Sequence, residues 1–540
     1  MKTISYYLFV IIFLCAFTDT FAQKFFIRFT DKNGSSYTTS NPSDFLSARS
    51  IARRINQGVV ITTEDLPVNS NYIDSVIAKG ALILTKSKWF NGVTVQCDST
   101  VLSNILALPF VLNATNVLRH GKSTVHKSDW LLNSPNQLRT ASYNYGGSFN
   151  QIHLMNGEYL HNLGYTGAGM LVAVIDAGFA NVDQLSTFDS LRLRNGIVAT
   201  WDFVDNQSSV YEDDAHGMEV LSAMAGNTPG QLVGTSPDAN FILLRTEDVF
   251  TENIIEEYNW NAAAEFADSA GADLITSSLG YTDFDDAATS HTYADMNGHT
   301  CPSSIAANRA FSKGILVCTS AGNSGNNSWH YLSAPSDGDD VLSVGAVDDV
   351  GNFVSFSSYG PASDGDIKPN VAAKGLGSTI ADLGNTIGTG SGTSFSCPIL
   401  AGSATCLLQA NPISSVADVK SAIERSANYY LTPTDTLGYG IPNFGNADLL
   451  LGTRELSKNN LGIIIYPNPI NDKAVFQFST LSGNSKMIIY NVSGSVVSTY
   501  SLDKGKSELI IDLSQFANGV YACRIEDKNY NGIQKFIVIH

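Results

Sequence analysis

The chain has 540 residues, 44% hydrophobic and 15% charged, which is length enough for three or four domains and excludes a mainly disordered polymer. Acidic residues outnumber basic ones 50 to 32, and the net charge of −18 argues against binding nucleic acid or an anionic membrane through phosphate contacts. The charge is unevenly spread: residues 1–144 carry a net +6, residues 145–452 a net −26 and residues 453–540 a net +2.

Lys2 precedes a nearly unbroken apolar run over residues 4–17, and Thr20-Phe21-Ala22 closes it with a small residue. That pattern describes a secretory signal peptide over residues 1–22, with Gln23 first after cleavage. The run is short for a membrane span, and no later stretch reaches the length of one. Residues 23–120 read as a small α+β unit. An aromatic-rich strand is expected over 24–29, a helix with a basic face (Arg49, Arg53, Arg54) over 43–54, and a second helix over 100–108 stopped by Pro109. Residues 121–148 are polar and Gly-containing, and read as a cleavable linker.

Residues 149–452 alternate short apolar strands with helices. Strands are expected at 170–175, 241–244, 272–276, 315–319 and 341–347, with helices such as 254–269 and 303–312 between them. That order predicts an α/β domain: a mostly parallel sheet covered by helices on both faces, with functional residues at the carboxyl ends of the strands. Residues 453–462 form a polar linker. From 463 to 540 the texture becomes short strands at 474–478, 486–490, 508–513, 520–524 and 535–539, which predicts a β-sandwich.

The seven cysteines (Cys15, Cys97, Cys301, Cys318, Cys397, Cys406, Cys523) include no C-x-x-C pair, so neither a disulfide framework nor a thiolate zinc site is indicated. Cys301–Cys318 is a pairing that spacing allows.

Four segments of the α/β region could carry chemistry. Val174-Ile175-Asp176-Ala177-Gly178 delivers a carboxylate at a strand end. Asp214-Ala215-His216-Gly217 opens a helical run with a histidine, the side chain best suited to exchanging protons near neutral pH. Ser320-Ala321-Gly322-Asn323 follows a strand, and an amide there either shapes a turn or donates to an oxyanion. Gly390-Ser391-Gly392-Thr393-Ser394-Phe395-Ser396-Cys397-Pro398 leads into an apolar helix. A serine at a helix N-terminus sits among unpaired N–H groups and a partial positive charge. Each segment alone has an ordinary structural reading as a turn or cap. Asp176, His216, Asn323 and Ser394 occur in that order, each at a strand end or helix start of one domain, and the order resembles the Asp…His…Ser sequence of subtilisin-like enzymes, a resemblance that implies nucleophilic catalysis.

At these residues the sequence resembles a subtilase, a subtilisin-like serine peptidase. Gly392-Thr393-Ser394-Phe395-Ser396-Cys397-Pro398 is similar to the family's Gly-Thr-Ser-Met-(Ser/Ala)-(Ala/Thr)-Pro. The resemblance implies a catalytic triad of Asp176 (orienting), His216 (general base and acid) and Ser394 (nucleophile), with Asn323 in the oxyanion hole. It also implies a substrate-binding segment at Ser278, Leu279 and Gly280. The chain departs from the family at Ala177, at Met218-Glu219 after the histidine and at Lys374, and none of these removes a catalytic group.

Residues 23–120 resemble the family's inhibitory propeptide, and a +6 segment beside a −26 domain should associate with it. Tyr466-Pro467-Asn468-Pro469, Tyr490-Asn491-Val492-Ser493-Gly494 and Gly519-Val520-Tyr521 resemble the sorting domain of the type IX secretion system of Bacteroidetes. The resemblances together imply a secreted or cell-surface serine endopeptidase. Its partners would be peptide substrates, its own propeptide and the secretion machinery. No cofactor is required for the chemistry. The acidic loops 211–214, 283–286 and 337–340 read as a solvated face, and calcium, which many subtilases bind, is the other reading. The alternative function is a secreted binding or adhesive protein on an inactive subtilase scaffold.

Overall fold

The computed structural model describes residues 23–118, 143–456 and 463–540, apart from 479, 482, 493, 528 and 529. The signal peptide, most of the 121–148 linker and residues 457–462 lie outside the described residues.

The central domain is built on a seven-stranded sheet. Its order is Val371–Lys374, Leu342–Val347, Leu316–Ser320, Leu274–Ser277, Leu171–Asp176, Asn240–Arg245 and Ile197–Asp202. Every neighbouring pair is parallel. The strand Leu171–Asp176 shows why the sequence reads as an unbroken apolar run. Val172 and Val174 enter one core, Leu171, Ala173 and Ile175 enter the other, and all are buried. A strand covered on both faces leaves no position for a polar side chain until its end.

The helix Thr393–Ala410 lies on the first face and is buried almost throughout. Ile255–Ala270 and Pro302–Ser312 cover the second. In this domain each strand and helix expected from sequence is present with ends shifted by a residue or two, and the edge strands Ile197–Asp202 and Val371–Lys374 are additional. Elsewhere the shifts are larger, the helix expected over 43–54 being Ala48–Gln57 and the strand expected over 535–539 being Tyr530–Val538.

Cys301 and Cys318 are both free, against the pairing that spacing allows. The reason is topological: Cys318 packs in the core on one face of the sheet and Cys301 in the core on the other.

Residues 23–118 form a four-stranded antiparallel sheet ordered Leu82–Ser87, Gly92–Cys97, Gln23–Phe29, Val111–Leu118, with helices Ala48–Gln57, Ser70–Ala78 and Ser99–Leu106. This unit docks end to end on the helix Ile255–Ala270. Ser47 N–H donates to Ser269 O at 2.9 Å, Ser47 Oγ to Ala270 O at 2.9 Å, and Arg53 Nη1 to Ala272 O at 2.7 Å. The positive N-terminus of Ala48–Gln57 thus meets the negative C-terminus of Ile255–Ala270.

Residues 143–148, placed in the linker from sequence, are packed: Tyr145 is buried and its hydroxyl meets His161 Nδ1 at 2.6 Å. Likewise the helix Phe444–Leu456 runs through residues 453–456 of the other expected linker.

Beyond it, antiparallel sheets of three strands (Ile464–Tyr466, Lys473–Gln477, Glu508–Asp512) and four strands (Val496–Leu502, Ser485–Asn491, Gly519–Asp527, Tyr530–Val538) share a core of Phe476, Met487, Ile489, Cys523 and Phe536. This is the expected β-sandwich.

Candidate active site

Asp176 is the last residue of its strand and is fully buried. Its Oδ1 accepts from Ala177 N–H at 2.8 Å and faces His216 Nδ1 at 2.7 Å. His216 is the first residue of the helix His216–Ala225, and its N–H donates to Asp214 Oδ1 at 2.7 Å. Glycine is needed beside it, because a Cβ on Gly217 would lie 2.4 Å from Gly178 O and 2.9 Å from the Asp176 Cβ. A side chain there would push the helix off the strand end and break the Asp176–His216 contact.

Ser394 is the second residue of Thr393–Ala410, in the turn whose N–H groups have no acceptor within the helix. Pro398 sits inside this helix and leaves the Ser394 carbonyl without its donor four residues on, and Ser278 Oγ takes that place at 2.9 Å. The Phe395 ring lies 6.4 Å, centroid to centroid, from the His216 ring, which puts the helix start beside the imidazole.

Asn323 Oδ1 accepts from Thr393 N at 2.8 Å and from Thr393 Oγ1 at 3.0 Å. Its carbonyl end is therefore held by the helix start, and the NH2 end remains for a ligand acceptor. Ser278 Oγ donates to Ser394 O at 2.9 Å. Of the four residues singled out from sequence, Asp176 and His216 are in direct contact, Asn323 is hydrogen-bonded to the residue before Ser394, and the residue after Ser394 lies beside the His216 ring. Ser278, Leu279 and Gly280 join His216 in lining one cavity of about 500 Å³.

Electrostatics favour a charged imidazole. Burial alone would lower His216, but the Asp176 carboxylate, with Glu219 and Asp214 behind it, more than reverses this and lifts it to about 9. Glu219, one helical turn on, is raised to about 7 by burial, with His216 opposing and Asp214 and Asp382 adding to the rise.

Sequence reasoning missed the far wall of the cavity, made by Glu247, Asp248, Glu252 and Glu256. The available signal was their position after a strand end, in a domain whose functional residues gather there.

Two other carboxylate groups lie among the acidic loops. Asp202, Asp205 and Asp213 converge on Arg245 Nη1 at 2.8, 2.9 and 3.0 Å, so a guanidinium already serves as their cation. Asp339, Asp364 and Asp366 bring oxygens within 4.8 Å of one another, and Asp339 Oδ1 is buried without a hydrogen-bond partner. An all-oxygen set of this kind fits calcium.

Comparison with known proteins agrees with the geometry. Residues 167–441 match the subtilase family, residues 24–130 the peptidase S8 propeptide domain of Bacteroidota, and residues 464–539 the secretion system C-terminal sorting domain. Subtilisin amylosacchariticus from Bacillus subtilis subsp. amylosacchariticus is 31% identical over 274 residues, 50% of this chain and 63% of that protein. Subtilisin from Bacillus pumilus is 30% identical over 274 residues, 50% of this chain and 88% of that protein. Serine protease AprX from Bacillus subtilis (strain 168) is 30% identical over 302 residues, 51% of this chain and 63% of that protein. The chain thus spans under two thirds of the length of several relatives it matches. With the sheet, the strand-end carboxylate and the helix-start serine all in place, the chain belongs to the subtilase family.

Proposed function

We propose that the protein is a secreted serine endopeptidase and that Asp176, His216 and Ser394 are its triad. The observation that carries this reading is the 2.7 Å contact between His216 Nδ1 and Asp176 Oδ1 beside the start of the Ser394 helix. A proton held on Nδ1 makes Nε2 the basic nitrogen. His216 takes the Ser394 hydroxyl proton as Oγ attacks the peptide carbonyl. Asn323 and the Ser394 N–H stabilise the oxyanion. His216 then protonates the leaving amine, which departs as the acyl-enzyme forms. Water, deprotonated by His216, releases the acid and restores Ser394. These residues supply every proton and electron pair, so the chemistry calls for no cofactor.

A fluorophosphonate probe tests this directly. Mass spectrometry of the labelled protein should find the adduct on Ser394. Matured protein that takes no label would instead fit an inactive scaffold with a binding role.

The general base works only when neutral, so activity should climb as pH rises towards 9, where His216 loses its proton. Glu219→Gln removes a negative charge that holds that proton. The acid limb of the kcat/KM profile should then move to lower pH by roughly half a unit to one unit. An unmoved limb would mean that Glu219 does not act on His216.

We further read residues 23–120 as the intramolecular inhibitor, removed by cleavage after them, and residues 1–22 and 463–540 as the two export signals. Among the described residues no helix is long and apolar enough to cross a membrane. Asp339, Asp364 and Asp366 are the proposed calcium ligands. EDTA should lower Tm, with calcium and not magnesium restoring it, because only the larger ion accepts an irregular oxygen shell.

A further inference from the structure

The cavity beside His216 carries six carboxylates: Asp214, Glu219, Glu247, Asp248, Glu252 and Glu256. Among the described residues none of the four on the far wall, Glu247, Asp248, Glu252 and Glu256, forms an ion pair. The charges that weigh most on Glu247 are those of Asp176 and Glu257, on Glu252 those of Glu247, Asp285 and Glu257, and on Glu256 those of Glu247 and Glu252.

Glu247 is the most informative. It is 8% exposed, and its Oε1 accepts from both Thr246 Oγ1 at 2.6 Å and Tyr281 OH at 2.7 Å. Its Oε2 has no partner among the described residues, although the side chain lines the cavity. The rest of the side chain is out of water, and this oxygen opens on the cavity, where a cationic ligand can supply its hydrogen bond.

We propose that this cavity is a specificity pocket that takes the ammonium or guanidinium group of a lysine or arginine side chain of the peptide being cleaved. The inference rests on the reading of His216 and Ser394 as the catalytic pair. Residues 278–280 border the same cavity, so a peptide lying along them passes both the imidazole and the carboxylates.

Burial and mutual repulsion hold Glu247 at about 7 and Glu252 at about 8, and an entering cation offsets both effects. A metal ion fits less well. The groups of three ligands that meet within 4.8 Å among the described residues all lie elsewhere, so the cavity acids are spread around a void instead of closing on one ion.

The chain itself supplies a peptide of the right kind. Val117 and Leu118, at the end of the last propeptide strand, pack against Ile254 and Ile255, which lie between Glu252 and Glu256 in sequence. The sequence then continues Arg119-His120-Gly121-Lys122. Two of these four side chains, Arg119 and Lys122, are strong cations.

The test uses enzyme matured from the full-length chain. Quenched peptides differ only in Arg, Lys, Gln or Glu at each of the four positions before the scissile bond. At one position Arg and Lys should give kcat/KM about tenfold or more above Gln, with Glu lowest. Combining Glu247→Gln with Glu252→Gln should narrow the Arg-to-Gln ratio severalfold, and the wild-type comparison stands even if that variant folds poorly. Equal rates for Arg, Lys and Gln would overturn the pocket while leaving the peptidase. No cleavage of any peptide, with no fluorophosphonate adduct, would overturn both readings. A calcium ion retained by wild type and lost with those substitutions, without an Arg preference, would overturn the pocket in favour of a metal.

Discussion

Ser394→Ala should lower turnover by about a million-fold, and His216→Ala should cost about as much, with no further loss in the double variant. The sizes are those known for subtilisin, a member of the same family, and the pattern matters more than either number. Nucleophile and base act as one unit, because an unactivated hydroxyl and a histidine with nothing to deprotonate are equally idle. Losses that multiplied would show that the two residues work independently.

Asn323 belongs to a different part of the machinery and should cost only about 100- to 1000-fold. Its replacement needs care, since Oδ1 also holds Thr393 N and Oγ1 at 2.8 and 3.0 Å. Asn323→Asp keeps that oxygen and removes the donor. It should lose activity like Asn323→Ala while Tm stays at the wild-type value. The same serine governs maturation in this reading. A purified Ser394→Ala precursor should keep residues 23–120 indefinitely by mass spectrometry, and loss of that segment would rule out self-processing.

Much of this site could be read from sequence because its residues sit where local rules are strict. Leu171–Asp176 is apolar on both faces until Asp176, so its one carboxylate stands out. Ser394 is marked by glycines before it and an apolar helix after it. The edge strands were hidden for the opposite reason. Ile197–Asp202 is only half-covered, with Val198 56% exposed, and Val371–Lys374 has just four residues.

The acidic wall was hidden differently. Acids at a helix start read as ordinary dipole partners facing water. That Glu256 is 2% exposed depends on the packing of distant segments, which no local pattern encodes. Cys301 and Cys318 are apart on the same ground, since spacing does not encode which face of a sheet a residue joins. The basic face of Arg49, Arg53 and Arg54 was legible on its helix, whereas its partners, more than 200 residues away, were not.

Those partners set the second large effect: Asp268→Ala should destabilise the uncleaved precursor by about 3–5 kcal/mol. Asp268 is fully buried where the propeptide meets the helix Ile255–Ala270. Its Oδ1 accepts from Arg53 Nη2 at 2.6 Å and Arg54 Nη2 at 2.9 Å, and its Oδ2 from Lys88 Nζ at 2.7 Å. Removing the carboxylate leaves three cations out of water around a void. Arg54 keeps Asp65 at 3.0 Å, but Arg53 and Lys88 lose their only ion-pair partner among the described residues. Glu64→Gln is the contrast. Its carboxylate is 36% exposed, and Lys313 keeps Asp65 at 3.3 Å, so the cost should be about 1 kcal/mol or less.

Urea unfolding of full-length Ser394→Ala protein with each second substitution gives the comparison, and equal costs would mean that the Asp268 cluster is not the anchor. The pH dependence separates charge from packing. Burial would raise Asp268, yet Lys88, Arg54 and Arg53 outweigh it and hold the carboxyl at about 2. A folded-state value below the ordinary 3.8 means the carboxylate stabilises fully above that pH and loses its contribution as pH falls through about 2. The gap between precursors with and without Asp268 should therefore be constant from pH 7 to 5 and narrow below about 4, by about 2 kcal/mol once the carboxyl is protonated. A gap as wide at pH 2 as at pH 7 would assign the whole loss to the cavity instead of the charge.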